Sequence, residues 1–328
     1  MRDRACTAAV AAVAAMVVFA TAAFAAAPSV TAVNGHLALN GTPFIPVMAQ
    51  TRYGCPARPL VDEFATLGVN VLYNDNAVCD GDFSPGQPTA AQKLDSSLAG
   101  RTPPMWFWTS SPSGQQQLAG ASTLLNWQPP LVRALDVNWM LDKCKGQSTL
   151  PFYKTVSAKA HAGGIVSAYV LAGSISDQRY SNFNCVTQPR MAVAVWTALV
   201  AGASAIDYIT IDPRNATIGN GFNVTPAAAA SAASLSKDVA RSAQMLLAAP
   251  MSARSSNGVV KVAARRYSGS TYLFVVNTQN SAERTAVTVA GGWHGVASLL
   301  KGSGRPRSQG GALQVQLGPF AVDVVKLR

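Results

Sequence analysis

The sequence predicts an α/β protein with a (β/α)8 TIM-like barrel, complete or incomplete, followed by a small all-β sandwich. Apolar, β-prone runs alternate with helix-prone segments over about 220 residues, close to the ~250 of a usual barrel. After Pro250 only short strands continue. Strands that alternate with helices form a parallel sheet covered on both faces, which is the basis of this fold class.

Residues 1–27 have the pattern of a secretory signal peptide. Arg2 and Arg4 precede an uncharged run rich in alanine and valine, and Ala23-Phe24-Ala25 fits a small-x-small cleavage site. The alternative is an uncleaved N-terminal anchor. No other stretch reaches the ~18 apolar residues that a membrane span needs. We therefore expect a secreted or cell-envelope protein without a stable membrane span after signal cleavage.

The predicted barrel covers residues 28–250. Asn34-Gly35 and Asn40-Gly41 lie between short alternating runs and predict hairpin turns, so this region begins with a β-meander. Six strands are clear where eight are expected, and the segment 174–188 has a loop-like composition. The six strand segments are FIPVMAQ, VNVLYND, PPMWFWTS, ALDVNWML, GIVSAYVL and AIDYITID.

The predicted β-sandwich covers residues 251–328. Glycine, serine and asparagine turns separate its strands, and no helical pattern interrupts them. The strand segments are VVKVAARR, TYLFVVN, RTAVTVA, VASLL, ALQVQL and FAVDVVKL.

Four cysteines remain after the signal segment, and in an exported chain an even number favours disulfides. Cys55 and Cys79 follow the first two strands, whose loops lie side by side on one rim. Cys144 follows the fourth strand, and Cys185 lies in the long loop after the fifth. We predict the pairs Cys55–Cys79 and Cys144–Cys185. We expect no metal site, because there is no CxxC pair and the chain has only three histidines.

The charge of +11 suggests an anionic environment, such as a cell wall, an acidic polysaccharide or a lipid surface. Nucleic acid is disfavoured, since lysine and arginine are scattered rather than striped in an exported chain. The alternative is a charge that only keeps the protein soluble. The oligomeric state cannot be read from the sequence.

Several segments resemble glycoside hydrolases that combine a (β/α)8 catalytic barrel with a C-terminal β-sandwich. The similar segments are NGHLALNGTPFIPV, RMAVAVWTALVAGASAIDYITID, VKVAARRYSGSTYLFVVNTQNSAERTAVTV and LGPFAVDVVKL. The resemblance covers most of the mature chain. It implies a retaining enzyme with an acid/base glutamate ending the fourth strand and a nucleophile glutamate ending the seventh.

The chain departs from that pattern in its carboxylates. In NWMLDKCKG, Asp142 matches the family's aspartate, but Lys143 stands where the glutamate belongs. The chain has only two glutamates, Glu63 in the first predicted helix and Glu283 in the β domain. A glutamate pair at strand ends is therefore excluded, and any acid/base pair must consist of aspartates.

Asp142 and Asp212 are the candidate catalytic pair, because each follows a predicted barrel strand and such barrels react at the carboxyl ends of their strands. Helix capping, turn formation or pairing with arginine would equally explain an aspartate there. The loop with Asp75 is acidic but lacks the spacing of a known calcium loop.

Aromatic and polar residues after the strands form a candidate sugar site, since flat rings stack on sugar faces. Core packing is the alternative for the tryptophans. The predicted substrate-binding residues are Arg52, Tyr53, Asn74, Asp75, Trp108, Trp139 and Lys143.

These features predict a glycoside hydrolase-like protein that acts on an extracellular polysaccharide or glycoconjugate and needs no cofactor. A catalytically inactive carbohydrate-binding protein of the cell envelope is the alternative, and the missing glutamates favour it. A purely structural envelope protein would need no cleft. The sequence has no GxSxG, HExxH, P-loop or GxGxxG motif.

Overall fold

The computed structural model describes residues 27–51, 58–74, 87–135, 148–171, 188–209, 211–212, 217–218, 226–291 and 293–328. Within that part of the chain, no helix is long and apolar enough to cross a membrane.

An antiparallel meander opens the described chain, as the two Asn-Gly pairs predict. Asn34 and Asn40 have φ angles of 52° and 49°, and the glycine after each also has a positive φ. These angles are those of the tight turns that join short hairpin strands. The strands are β1 (Ser29–Val33), β2 (His36–Leu39) and β3 (Thr42–Pro43).

Six parallel strands form the wall of the barrel, and five of them lie in predicted segments. The fourth along the chain begins three residues before the predicted segment ALDVNWML and shares only Ala134 and Leu135 with it. The six strands are β4 (Val47–Gln50), β5 (Val71–Asn74), β6 (Trp106–Thr109), β8 (Leu131–Leu135), β9 (Ile165–Leu171) and β10 (Ala205–Ile209). The two-residue strand β7 (Asn126–Trp127) pairs with β1 instead.

The described strands form a six-stranded wall that is not closed, so of the two forms that the sequence left open, a complete or an incomplete barrel, they show the incomplete one. The strand order is β6-β5-β4-β10-β9-β8, so the last strand along the chain pairs with the first, as in a barrel. β6 and β8 do not pair, and no closed barrel exists among the described residues. The count of six clear strands in the sequence agrees with this, but the sequence did not predict where the pairing would be interrupted, because strand pairing depends on contacts between distant segments.

Helices cover the outside of the wall. α2 begins with a capping box, in which Thr89 and Gln92 exchange side chain-to-backbone hydrogen bonds, and α3 begins at Pro112 after the N-cap Ser111. α3 was not predicted. The helices are α1 (Arg58–Thr66), α2 (Ala90–Leu98), α3 (Pro112–Gln117), α4 (Leu150–His161), α5 (Gln188–Val200) and α6 (Pro226–Leu246).

The C-terminal region is a sandwich of two antiparallel sheets, with orders β13-β15-β16-β21-β18 and β14-β17-β20-β19. Its six longer strands lie in the predicted segments. A short pair, β11 (Ile211–Asp212) and β12 (Thr217–Ile218), precedes α6. The sandwich strands are β13 (Ala249–Met251), β14 (Ala253–Ser255), β15 (Val260–Tyr267), β16 (Ser270–Asn277), β17 (Glu283–Val289), β18 (Val296–Lys301), β19 (Arg307–Gln309), β20 (Ala312–Leu317) and β21 (Val322–Leu327).

The five-stranded sheet and the helices of the barrel share one hydrophobic core. Trp196 of α5 stacks on Phe274 of β16, with ring centroids 6.1 Å apart, and both side chains are fully buried. The backbone N–H of Thr149 donates to the carbonyl of Thr278 over 2.8 Å. The opposite face of this sheet packs against the four-stranded sheet in a separate apolar cluster.

A glycine loop encloses the buried carboxylate of Asp323 in β21. Gly302 has φ +106°, and a methyl group added there would collide with Oδ1 of Asp323 and lie 2.6 Å from the carbonyl oxygen of Val322. Burial raises the pKa of the Asp323 carboxyl, and backbone N–H groups of the loop partly oppose this shift.

We predict that Gly302→Ala lowers the free energy of unfolding by about 3 kcal/mol, because backbone strain and steric overlap act together. Gly311→Ala is the matched control, since Gly311 has φ +74° but open space around its Cα. It should cost only about 1 kcal/mol. Chemical denaturation measures both, and equal losses would show that the contact with Asp323 is unimportant.

Candidate functional site

The alternation of side chains along the parallel strands separates an interior face from a helix-covered face. Val71 and Tyr73 of β5 pack in the interior cluster, whereas Leu72 between them packs in the cluster under the helices. Trp106 and Trp108 of β6 are interior in the same way. The interior face therefore carries the side chains that can meet a ligand in the barrel.

A buried carboxylate and two tyrosines meet in this interior. The hydroxyl of Tyr73 donates to Oδ2 of Asp207 over 2.7 Å, and the hydroxyl oxygens of Tyr73 and Tyr169 are 3.2 Å apart. Asp207 is 2% exposed and Tyr73 1%. Three strands, β5, β9 and β10, are thus joined through polar groups inside the wall.

Both tyrosines stay protonated far into alkaline conditions. Burial, followed by the negative charge of Asp207, raises the pKa of Tyr73 far above its usual range. The same two causes raise the pKa of Tyr169, whose side chain is only half-buried. The two hydroxyls therefore act as hydrogen-bond donors near neutral pH, and tyrosinate chemistry is disfavoured.

A pair of stacked tryptophans lies next to this network. The rings of Trp108 and Trp127 have centroids 4.9 Å apart and planes inclined by 28°. Tyr73 is tilted against Trp108 at 5.7 Å. The indole N–H of Trp127 donates to the carbonyl of Pro129 over 2.8 Å, which fixes the orientation of the outer ring.

The tryptophan pair forms one wall of an open cleft of about 710 Å³ between β6 and β8, where the sheet is unpaired. We call it the tryptophan cleft. Its lining residues are Trp108, Ser110, Gln115, Trp127, Gln128, Pro129, Pro130, Leu131 and Arg133.

Arg133 brings positive charge to the tryptophan cleft. It is exposed on β8, and its guanidinium carbon lies 5.5 Å from the centroid of the Tyr169 ring. That distance is within the range of a cation–π interaction. The cleft thus combines flat aromatic rings with amide, hydroxyl and guanidinium groups, the combination that binds sugars through ring faces and hydroxyls.

Three of the predicted site residues fall in the described chain. Trp108 lines the cleft. Asn74 is buried at the end of β5, and the alternation assigns it to the face of Leu72 rather than to the interior. Asp212 ends β11, where its backbone pairs with Thr217, and its side chain lies outside the described part. The following residues also lie outside it: Arg52, Tyr53, Asp75, Asp142, Trp139, Lys143, Cys55, Cys79, Cys144 and Cys185.

Sequence reasoning missed the interior network and most of the cleft. Asp207 lies in the predicted strand AIDYITID, two residues before the end of β10. It was not among the predicted site residues, because these were chosen near or after the strand ends. Asp207 is two residues from Ala205 on the same strand, so both side chains point to the interior face, and this spacing could have identified Asp207. Tyr169 and Arg133 lie within strands in the same way.

The described carboxylates include no glutamate near the cleft. Glu283 begins β17 in the sandwich, where it accepts hydrogen bonds from Asn257 and Ser281 over 2.8 Å each. Glu63 lies in α1. Among the described residues, no group of three histidine, cysteine or acidic side chains could hold a metal ion.

Solved structures with a similar fold are glycoside hydrolases. A variant of AmyP in complex with maltotriose matches with a TM-score of 0.54 and 8% identity, over 86% of this chain and 97% of that one. An Anoxybacillus alpha-amylase matches with a TM-score of 0.42 and 12% identity, over 79% of this chain. This chain spans only 59% of that amylase.

No protein-family model and no curated protein sequence matches the chain. The AmyP likeness, at 8% identity, concerns the fold. The chain therefore shares the fold of AmyP, and its described strands form a six-stranded parallel wall followed by a C-terminal β region.

We predict that Tyr73→Phe destabilises the protein by about 1–3 kcal/mol at neutral pH, because the buried carboxylate of Asp207 loses a donor. This difference should shrink above pH ~10, by up to about 1.4 kcal/mol per pH unit. At this pH Tyr73 loses its proton in the unfolded wild-type chain but not in the folded one, so the free energy of unfolding of the wild-type protein falls as pH rises. Phenylalanine has no proton to lose, so this fall is absent in the variant. Chemical denaturation of both proteins at pH 8 and pH 11 measures the difference in their free energies of unfolding. The same difference at both pH values would contradict the hydrogen bond between Tyr73 and Asp207.

Proposed function

We propose that the protein is a glycoside hydrolase-like protein that binds an extracellular polysaccharide or glycoconjugate in the tryptophan cleft. The stacked pair of Trp108 and Trp127 carries this proposal, because it presents aromatic surface beside polar groups in an open groove. The fold shared with AmyP, a protein seen in complex with maltotriose, is consistent with it. The signal-like N-terminus supports export.

Binding to the cleft is tested by Trp127→Ala, with Trp127→Phe as the conservative variant. Purified mature protein is screened on neutral and acidic glycans, including maltotriose and xylan. We expect Trp127→Ala to weaken the best binding about ten-fold or more, and Trp127→Phe to keep most of it.

Trp293→Ala is the matched control, because Trp293 packs beside the core of the β-sandwich, away from the cleft. Circular dichroism and denaturation verify that each variant folds. Binding that survives in Trp127→Ala, or is lost equally in Trp293→Ala, would contradict the assignment of the cleft.

Whether the bound glycan is also cleaved is a separate question, because the same fold suits either a hydrolase or a protein that only binds. A hydrolase would use aspartates as acid and base, with Asp212 contributing more than Asp142, because Lys143 beside Asp142 favours its ionised form. A binding protein without hydrolysis is the second candidate. It is favoured because the chain has two glutamates and Asp207, inside the barrel, is 2% exposed.

We predict that any hydrolysis found on the same glycan panel falls further in Asp212→Asn than in Asp142→Asn. Release of reducing ends measures cleavage, and affinity for the intact glycan is recorded in parallel. Binding without cleavage would establish the second candidate. Equal loss in both variants would overturn the ranking and indicate a working aspartate pair.

A further inference from the structure

The positive charge of the chain is concentrated in the β-sandwich. Residues 251–328 contain ten lysines and arginines and two acidic residues, so this quarter of the chain carries +8 of the total +11. Neither acidic group stands on the outward-facing positions of the four-stranded sheet. Asp323 is fully buried, and Glu283 is held by Asn257 and Ser281.

The four-stranded sheet of the sandwich turns one face outward. Val287, Leu313 and Val315 point into the core between the two sheets. The alternating positions of the same strands therefore point away from the core. The five-stranded sheet lies between this outer face and the barrel helices, so no described part of the barrel covers the face.

Three arginines stand on this outer face, and we call it the arginine face. The strand register pairs Arg254 with Thr288, Arg284 with Gln316 and Arg307 with Gln314. All three arginines are exposed. β17 and β19 are two strand spacings apart, about 10 Å, so the charges are spread over the sheet rather than clustered at one point.

The neighbours of these arginines are short or amide side chains. Ser256, Ala286 and Thr288 lie between them, together with the two glutamines. No carboxylate stands among these outward positions of the described strands. The face is thus flat, cationic and rich in hydrogen-bond donors.

We propose that the arginine face binds an anionic polysaccharide, one that carries carboxylate or sulfate groups along its chain. Guanidinium groups form bidentate hydrogen bonds with such oxyanions, and the amide and hydroxyl side chains match sugar hydroxyls. The site would hold the protein on an acidic matrix while the tryptophan cleft stays open. It does not depend on whether the cleft cleaves or only binds.

Other polyanions fit this face less well. Binding to a lipid surface uses apolar side chains that enter the interface, and the outward positions of this sheet carry none larger than alanine. Single-stranded nucleic acid is held by aromatic stacking, and duplexes by an element that enters a groove. A flat face without aromatic rings offers neither.

The experiment compares two triple variants of the full mature chain with the same change in net charge. The face variant is Arg254→Gln with Arg284→Gln and Arg307→Gln. The control is Lys154→Gln with Lys237→Gln and Arg241→Gln, three exposed positions on α4 and α6 of the barrel. The probes are polygalacturonate, dextran sulfate and neutral dextran, with phosphatidylserine vesicles and duplex DNA as competing polyanions.

We expect the wild-type protein to bind polygalacturonate or dextran sulfate but not dextran, with an affinity that falls as salt is added. The face variant should lose about ten-fold or more of this affinity, and the control less than about three-fold. Equal losses would show that net charge alone is responsible. Absence of binding to both acidic polymers, or tighter binding to vesicles or DNA, would overturn the proposal.

Discussion

The buried carboxylate of Asp207 needs hydrogen-bond donors, and this need constrains the arrangement of the side chains inside the barrel. A buried carboxylate is tolerated only when hydrogen-bond donors surround it. Tyr73 supplies such a donor from β5, across the intervening β4, and Tyr169 approaches from the neighbouring β9. The contact between Tyr73 and Asp207 therefore connects β5 and β10, which do not pair with each other because β4 lies between them.

The tryptophan cleft follows from the position of Tyr73. Its ring lies against Trp108, Trp108 stacks on Trp127, and the indole of Trp127 is held by the backbone of Pro129. A continuous series of contacts therefore runs from the buried charge to the open groove. The tryptophan cleft lies between β6 and β8, which do not pair in the described part of the chain, and it is there that we propose a sugar chain binds.

The sequence predicted the elements far better than their assembly. Apolar runs identified five of the six parallel strands, and Asn34-Gly35 and Asn40-Gly41 marked both turns of the meander, because these signals are local. The fourth strand, β8, lies three residues earlier in the chain than its predicted segment begins. The opening between β6 and β8 depends on pairing between distant segments and has no local signal. The predicted site consisted of residues near or after the strand ends, so Asp207 and Tyr169, which lie within strands, were missed.

A crystal structure of the mature protein with its tightest-binding oligosaccharide tests the central claim most directly. The account predicts a sugar ring lying flat against the Trp108–Trp127 pair, with its hydroxyls within hydrogen-bond distance of Gln115, Gln128 or Arg133. Tyr73 should keep its hydrogen bond to Asp207 in that complex. A ligand bound elsewhere in the barrel, with no ring on either tryptophan, would contradict the account.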